Sequence, residues 1–194
     1  MLKIKVIIGS TREGRFADKP ACWIFNELKK REGVEVELLD LRDFDLPFFN
    51  ESKTPSSITE PYQNEVVKRW TAKIAEADGF VMVTPEYNHS FSAVLKNAID
   101  WVYKEWNKKA VAFVSYGSVM GGRSIEQLRL VAVEVQMAPV RAAVHIPGDV
   151  YMSAKDKKPD EADSAFEPIQ DRANTMIDQL LWWTKALKNA RDQE

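Results

Sequence analysis

Residues 4–15 read IKVIIGSTREGR, a short apolar strand followed at once by a polar loop that contains glycine. Branched side chains favour a β-strand up to Ile8, and Gly9 permits a sharp turn at its end. A helical pattern begins at Ala17, so the loop brings its amides to a helix N-terminus, where a phosphate group binds favourably. This opening strand, loop and helix predict a fold organised around a nucleotide-like ligand.

The composition is that of an ordinary globular protein. The chain has 194 residues, of which 45% are hydrophobic and 29% charged, and we expect residues 1–194 to form a single domain. A net charge of −2 produces no overall positive field that would attract nucleic acid or an anionic membrane. The one cysteine, Cys22, excludes an internal disulfide and fits a reducing compartment. With no apolar run of about 20 residues and no signal-like start, the chain is expected to be cytoplasmic, with no nucleic-acid or membrane partner.

Strand and helix patterns alternate along the chain. The predicted strands are residues 4–8, 34–39, 79–84, 109–116 and 140–146, and the predicted helices are residues 17–31, 63–77, 92–103, 123–137 and 167–189. Such alternation indicates a parallel sheet with helices on both faces. We therefore expect an α/β fold, a flavodoxin-like three-layer sandwich with a five-stranded parallel sheet in the order 2-1-3-4-5. Its ligand crevice would lie at the carboxyl ends of strands 1 and 3.

Two connections are longer than the rest. Residues 40–62 are rich in Pro, Ser and Asp, and loops of this length inside a compact domain are commonly functional or cover a site. Residues 147–165 are polar and charged, and we expect them to be mobile.

The loop after the first strand carries side chains suited to a phosphate. Ser10 and Thr11 offer hydroxyl groups, and Arg12 and Arg15 offer guanidinium groups. Polar side chains in addition to amides indicate a terminal phosphate monoester, gripped on several oxygens, rather than a bridging pyrophosphate. The alternative is a surface turn whose arginines are solvated.

The loop after the third strand, residues 84–90, reads TPEYNHS. Pro85 stiffens the exit from the strand, and Tyr87 and Asn88 could frame a heterocycle. The alternative is a helix-entry loop capped by a serine, which explains the serines but not the Tyr-Asn pair. His89 is interpreted as a bystander, because no carboxylate partner accompanies it in the sequence.

The loop after the fourth strand, residues 115–123, reads SYGSVMGGR. Its glycines, at 117, 121 and 122, permit a planar ring to approach the backbone closely. A flexible strand-to-helix turn is the alternative, although such a turn needs one glycine and not three. Because all three loops open on one edge of the predicted sheet, together they predict a single ligand site there.

These motifs resemble the NAD(P)H-dependent FMN reductase family, which has a flavodoxin-like fold and includes quinone, azo-dye and chromate reductases. The resemblance spans roughly residues 3–137, and the Pro-Glu-Tyr-Asn loop is its most specific part. It implies a set of FMN-binding residues: Ser10, Thr11, Arg12 and Arg15 at the phosphate, Pro85, Glu86, Tyr87 and Asn88 at the isoalloxazine ring, and Ser115, Tyr116, Gly117, Gly121 and Gly122 along its other edge.

The resemblance also implies an activity. FMN would be the cofactor and NADPH or NADH the co-substrate, with ping-pong electron transfer to a small-molecule acceptor such as a quinone, free flavin or an azo compound. Because the flavin carries the chemistry, we expect no catalytic acid–base pair and no metal ligand. A homodimer or homotetramer is expected, with Trp101 facing a neighbouring flavin. The alternatives are an FMN-binding electron carrier and a non-redox module that binds a phosphate ligand.

Overall fold

The computed structural model describes residues 1–193. Residue 194, which the predicted domain includes, lies outside the described residues. The strands are β1 (Leu2–Ile8), β2 (Val34–Asp40), β3 (Gly79–Pro85), β4 (Ala110–Tyr116), β5 (Ala138–Pro139) and β6 (Val144–His145). The α-helices are α1 (Asp18–Lys29), α2 (Glu65–Ala75), α3 (Ala93–Asp100), α4 (Gly122–Glu134), α5 (Gly148–Ala154) and α6 (Gln170–Arg191).

The strands form one parallel sheet in the order β2-β1-β3-β4-β5, and β6 also pairs with β4. The predicted 2-1-3-4-5 order is therefore confirmed. Every residue of β3 and β4 is buried, as expected for central strands. At the sheet edge, β2 is only half-buried along most of its length.

Helices cover both faces of the sheet, which confirms the three-layer sandwich. The cluster on one face joins β1 residues such as Ile4 to α1, α5 and α6. The cluster on the other face joins Ile7 and Phe113 to α2, α3 and α4. Side chains along a strand alternate between the two faces of the sheet. Ile4 and Ile7 are three residues apart, so they point to opposite faces and belong to different core clusters.

The prediction of one strand over residues 140–146 is wrong. Two short strands, β5 and β6, pair with separate stretches of β4. Between them, side chains satisfy the backbone: Arg129 donates to the carbonyl oxygens of Val140 (2.7 Å) and Arg141 (2.8 Å), and the Ala142 amide donates to Gln179 (2.8 Å). These bonds replace the ladder and allow the chain to bulge away from β4.

Residues 147–165, predicted to be mobile from their polar composition, contain regular helical structure. Residues 148–154 form α5, and two 3₁₀ helices follow it (Pro159–Glu161 and Asp163–Ile169). Val150 and Phe166 anchor this region in the core. Polar composition misled the prediction because only a few apolar residues are needed to fix so short a helix.

Candidate functional site

The loops after β1, β3 and β4 meet at the carboxyl edge of the sheet around a cleft of about 470 Å³. Six predicted cofactor-binding residues line it: Arg12, Pro85, Glu86, Tyr87, Tyr116 and Gly117. Ser118, Gly148, Tyr151 and Met152 complete the wall. Its size and its mixture of flat apolar and polar side chains are typical of a small-molecule site.

At the base of the β1–α1 loop lies an unpaired buried hydroxyl group. Ser10 is 1% exposed, and among the described residues its Oγ has no hydrogen-bond partner. A buried hydroxyl without a partner costs free energy, so such an atom commonly marks a place where a ligand or water binds. Arg12, by contrast, is exposed and lines the cleft, and among the described residues its guanidinium makes one long contact, of 3.5 Å, with the Gly14 carbonyl.

Arg15 occupies a different environment from Arg12. It is buried, and its guanidinium bonds Asp40 at the end of β2, Asp18 (Nε to Oδ1, 2.7 Å) and the Ser10 carbonyl. Burial opposes its charge, but the two carboxylates hold the pKa of Arg15 above its ordinary value. Its donors are therefore occupied by the chain itself, and they shape the loop around Ser10.

Thr11 lies apart from the cleft. It lines a second cavity of about 490 Å³, on the other side of the loop, with Arg42 and Phe44. Arg42 also donates to the Arg12 carbonyl (2.6 Å) and braces the loop from outside. Arg42 was not among the predicted site residues, although its position two residues after Asp40, at the end of β2, was the available signal.

The β3–α3 loop forms a tight turn that presents Tyr87. The Tyr87 and Ser90 backbones exchange two hydrogen bonds (2.8 and 3.0 Å), and Asn88 and His89 between them have φ of 49° and 72°. Two successive positive φ values are the pattern of a type I′ turn, in which asparagine is favoured. The turn leaves the Tyr87 side chain 40% exposed in the cleft wall, while Asn88 does not line the cleft.

Glu86 ties this loop to the next one. Its buried carboxylate accepts hydrogen bonds from the Arg123 backbone amide (3.2 Å) near the N-terminus of α4 and from the Arg123 side chain (3.5 Å). The Glu86 amide donates to the Tyr116 carbonyl (2.8 Å). A carboxylate at a helix N-terminus is stabilised by the free amides and the helix dipole, so Glu86 holds two walls of the cleft together.

The glycines of the β4–α4 loop have separate roles. Gly117 lies against Glu86, whose Cβ would be 2.7 Å from any added Cβ. Gly121 has φ of 74°, and an added Cβ would overlap the Ser115 side chain, whereas nothing lies within 4 Å of one at Gly122. Ser115 is buried beneath the loop, where its Oγ donates to the Thr84 carbonyl (2.7 Å) and pairs with Ser124. Ser115 and Gly121 therefore build the loop from below.

An aromatic cluster closes the cleft on the α5 side. The Tyr151 ring packs against Phe16 (centroids 4.4 Å apart) and Tyr116 (6.3 Å), and burial raises the pKa of the Tyr116 hydroxyl. This aromatic wall was not predicted from the sequence. The spacing of Val150 and Ala154, both buried and four residues apart, was the helical signal that could have found it.

Two further residues, Cys22 and Trp101, lie away from the cleft. Cys22 is half-buried on α1, and burial together with Asp18 raises the pKa of its thiol, which disfavours a nucleophilic role. The idea that Trp101 faces a neighbouring flavin is wrong. Trp101 is 3% exposed, packs against Phe49 and Tyr62 and donates to the Pro47 carbonyl (2.7 Å), so residues of the long 40–62 connection cover it.

The described residues also bear on the membrane and metal predictions. None of the helices within residues 1–193 is long and apolar enough to cross a membrane. Across the same residues, His, Cys, Asp and Glu side chains form no group of three or more arranged to hold a metal ion.

The chain is similar to several proteins that are named as FMN reductases, quinone oxidoreductases or flavoenzymes. The chain is 41% identical over 149 residues to an NAD(P)H-dependent FMN reductase of Schizosaccharomyces pombe, covering 76% of this chain and 74% of that one. It is 36% identical over 139 residues to an NAD(P)H:quinone oxidoreductase of Solanum tuberosum, covering 69% and 68%. The fold matches the flavoenzyme FerB, an NAD(P)H:(acceptor) oxidoreductase of Paracoccus denitrificans (TM-score 0.68, 23% identity, 93% and 97% covered). Because the model of the NADPH-dependent FMN reductase family also matches residues 2–150, the chain belongs to that family.

Proposed function

We propose that this protein is an FMN-dependent NAD(P)H oxidoreductase that binds FMN in the cleft at the carboxyl edge of the sheet. The observation that carries the proposal is the buried Oγ of Ser10, which has no partner among the described residues and lies in the loop predicted to bind the phosphate. An orphaned hydroxyl beside an exposed arginine fits a phosphate monoester, which accepts several hydrogen bonds at once.

At the phosphate end, we assign the direct contacts to Ser10 and Arg12. Thr11 remains a predicted contact through its backbone or hydroxyl group, although its side chain borders the second cavity. Arg15 is given a different role from the one expected, because its donors already bond Asp18, Asp40 and the Ser10 carbonyl. It positions the loop and supplies a fixed positive charge behind it.

At the ring end, Pro85, Tyr87 and Tyr116 supply flat apolar surface, and Gly117 lets the backbone approach a planar ligand. Asn88 keeps the turn that presents Tyr87. The other predicted contacts support the walls: Glu86 lines the cleft and bonds the N-terminus of α4, Ser115 lies beneath the β4–α4 loop, and Gly121 and Gly122 lie at the start of α4.

Bound FMN would supply hydride acceptance and electron transfer between a nicotinamide and an acceptor. The chain would bind and orient FMN and surround its ring with apolar side chains. We assign no residue as a catalytic acid or base. His89 is exposed at the tip of its turn, and no shared hydrogen bond links it to a carboxylate among the described residues. The open mouth of the cleft would admit the two substrates in turn, which gives a ping-pong scheme.

The finer assignments rest on the relatives and on surface features. NADPH or NADH is the electron donor, and the name of the Solanum relative supports a quinone as acceptor, with free flavin and azo compounds as further candidates. A homodimer or homotetramer is supported by Leu130 and Val133, which are 65% and 63% exposed on α4. The single cysteine and the use of reduced nicotinamide support a cytoplasmic location.

An anaerobic titration tests the proposal. The purified chain is reconstituted with FMN, and the flavin absorbance is followed while NADPH or NADH is added, before quinone, flavin and azo acceptors are supplied. Bleaching by a nicotinamide and recovery with an acceptor are expected. Flavin that binds but is not bleached would favour the electron carrier, and no binding of FMN at all would favour the non-redox phosphate-binding module.

A further inference from the structure

Helix α5 contributes a wall to the cleft from a part of the chain that the family match barely reaches. The match ends at residue 150, whereas Tyr151 and Met152 both line the cleft. Met152 is 58% exposed. An exposed, large apolar side chain at the lip of a ligand cleft gains free energy when a ligand covers it.

The position of α5 is fixed by packing on its inner face. Val150 and Ala154 are buried in the core. Tyr151 contacts Phe16, directly after the phosphate loop, and Tyr116, at the start of the glycine loop. The helix is thus attached to both loops that are expected to hold FMN, and it presents Met152 at a fixed place in the wall.

The chemistry of Met152 suits a planar aromatic ligand. Its thioether is polarizable and unbranched, and sulfur–aromatic contacts are favourable at the edge or face of a ring. The cleft lining also contains Tyr87, which is partly exposed, and the charged residues Arg12 and Glu86. Arg12 belongs to the loop predicted to bind the phosphate, whereas Met152 follows the aromatic Tyr151 on α5.

We propose that Met152 packs against the flavin portion of FMN, so that α5 forms a third wall of the cofactor site beside the β3 and β4 loops. This inference rests on the proposed function, since it takes FMN as the ligand. It assigns cofactor affinity to a residue outside the family match, and it separates the residues that hold the flavin portion from those that hold the phosphate.

The proposed contact of Met152 with the flavin is tested by titrating flavins into the full chain from which cofactor has been removed. FMN and riboflavin are titrated separately by quenching of flavin fluorescence. Met152→Ala is expected to weaken binding of both about five- to tenfold, because it removes contact with a portion that both ligands share. Arg12→Ala is expected to weaken FMN alone, because riboflavin lacks the phosphate.

Two controls separate contact from folding. Met152→Leu conserves the volume and apolar character of the side chain and should restore most of the affinity. Trp182→Ala removes a similarly exposed apolar side chain on α6, away from the cleft, and should leave both affinities unchanged. Thermal melting of each variant checks that the fold is retained.

The outcomes are distinct. Unchanged affinity of Met152→Ala for both flavins, or a loss confined to FMN, would overturn the inference and leave the proposed function standing. Failure of the unmodified chain to bind FMN would overturn both. An equal loss for both flavins, with rescue by leucine, supports the third wall.

Discussion

The edges of the sheet at the amino and carboxyl ends of its strands differ in how they use charged groups. At the amino edge, Asp78 precedes β3, is 6% exposed and accepts hydrogen bonds from Lys188 (2.8 Å), Arg191 (3.2 Å) and the Lys3 amide (3.0 Å). Lys109, also buried, donates to two carbonyl oxygens at the end of α2. At this edge Asp78 and Lys109 are hydrogen-bonded within the chain, and their bonds attach α6 and α2 to the sheet.

The carboxyl edge leaves polar groups available. The Ser10 hydroxyl is buried without a partner among residues 1–193, and the Arg12 guanidinium is exposed. Non-glycine residues in left-handed conformations do not distinguish the two edges. Asn88, His89 and Met120 follow strands at the carboxyl edge, and Lys108 and Gln136 precede strands at the amino edge. The difference in polar groups indicates that the amino edge contributes stability and the carboxyl edge binding.

The largest expected effect limits this division, because it concerns two adjacent glycines at the carboxyl edge, one of which supports the fold. Gly121→Ala should lower the free energy of unfolding by about 2–4 kcal/mol, because a Cβ would overlap Ser115 in a left-handed conformation. Gly122→Ala should be neutral or slightly stabilising, since its Cβ would meet nothing within 4 Å. Urea denaturation measures both.

Both glycines were predicted to bind FMN, so FMN affinity is measured on the same proteins. Gly121→Ala should also weaken FMN binding, because it displaces the β4–α4 loop. Equal stabilities for the two variants would show that the loop accommodates a side chain at Gly121 and that the overlap is relieved at little cost.

The second prediction concerns the amino edge. Asp78→Ala should lower the free energy of unfolding by about 2–3 kcal/mol, because it leaves Lys188 and Arg191 without their buried partner. Its affinity for FMN, measured by fluorescence, should not change. Glu126→Gln, which alters an exposed carboxylate on α4, is the matched control and should have little effect on either quantity.

The pH dependence of stability extends this prediction. Burial alone would raise the pKa of Asp78, but the bonds from Lys188 and the Lys3 amide outweigh it and hold the pKa below 3.8. Its contribution is therefore fully present above the unfolded-state pKa and is lost as the pH falls through the lower, folded-state value. In Asp78→Ala this loss below about pH 4 should be smaller; an unchanged acid profile would mean that other carboxylates dominate it.

The smallest expected effect concerns Arg12. Arg12→Ala should weaken FMN binding about tenfold, because it removes a charge-assisted hydrogen bond to the phosphate, while the urea midpoint stays the same. Arg31→Ala, at the end of α1 with a surface ion pair to Asp178, is the control and should leave FMN affinity unaltered. If Arg12→Ala instead lowered the urea midpoint and left FMN affinity unchanged, Arg12 would contribute to stability and not to FMN binding.

Much of this architecture follows from local patterns. The sheet order was predicted correctly from the largely apolar runs of β1, β3 and β4 and from the alternation of strands with helices. Residues 140–146 were misassigned because Arg129 and Gln179, on helices outside that segment, satisfy its backbone. Residues 147–165 were misassigned because their order comes from contacts of Tyr151 and Phe166 with distant aromatic residues.

Sequence by itself determined where the site lies, since three loops that follow parallel strands must open on one edge. Tertiary structure decided what each residue does there. Arg12 and Arg15 are the same residue type in one loop, and both were predicted to hold phosphate. The pairing of β1 with β2 places Asp40, 25 residues further along the chain, beside Arg15 and not beside Arg12. Because strand pairing brings Asp40 close, no local sequence pattern reveals this partner. The bond to Asp40 commits Arg15 to shaping the loop, whereas the Arg12 guanidinium remains available for the phosphate.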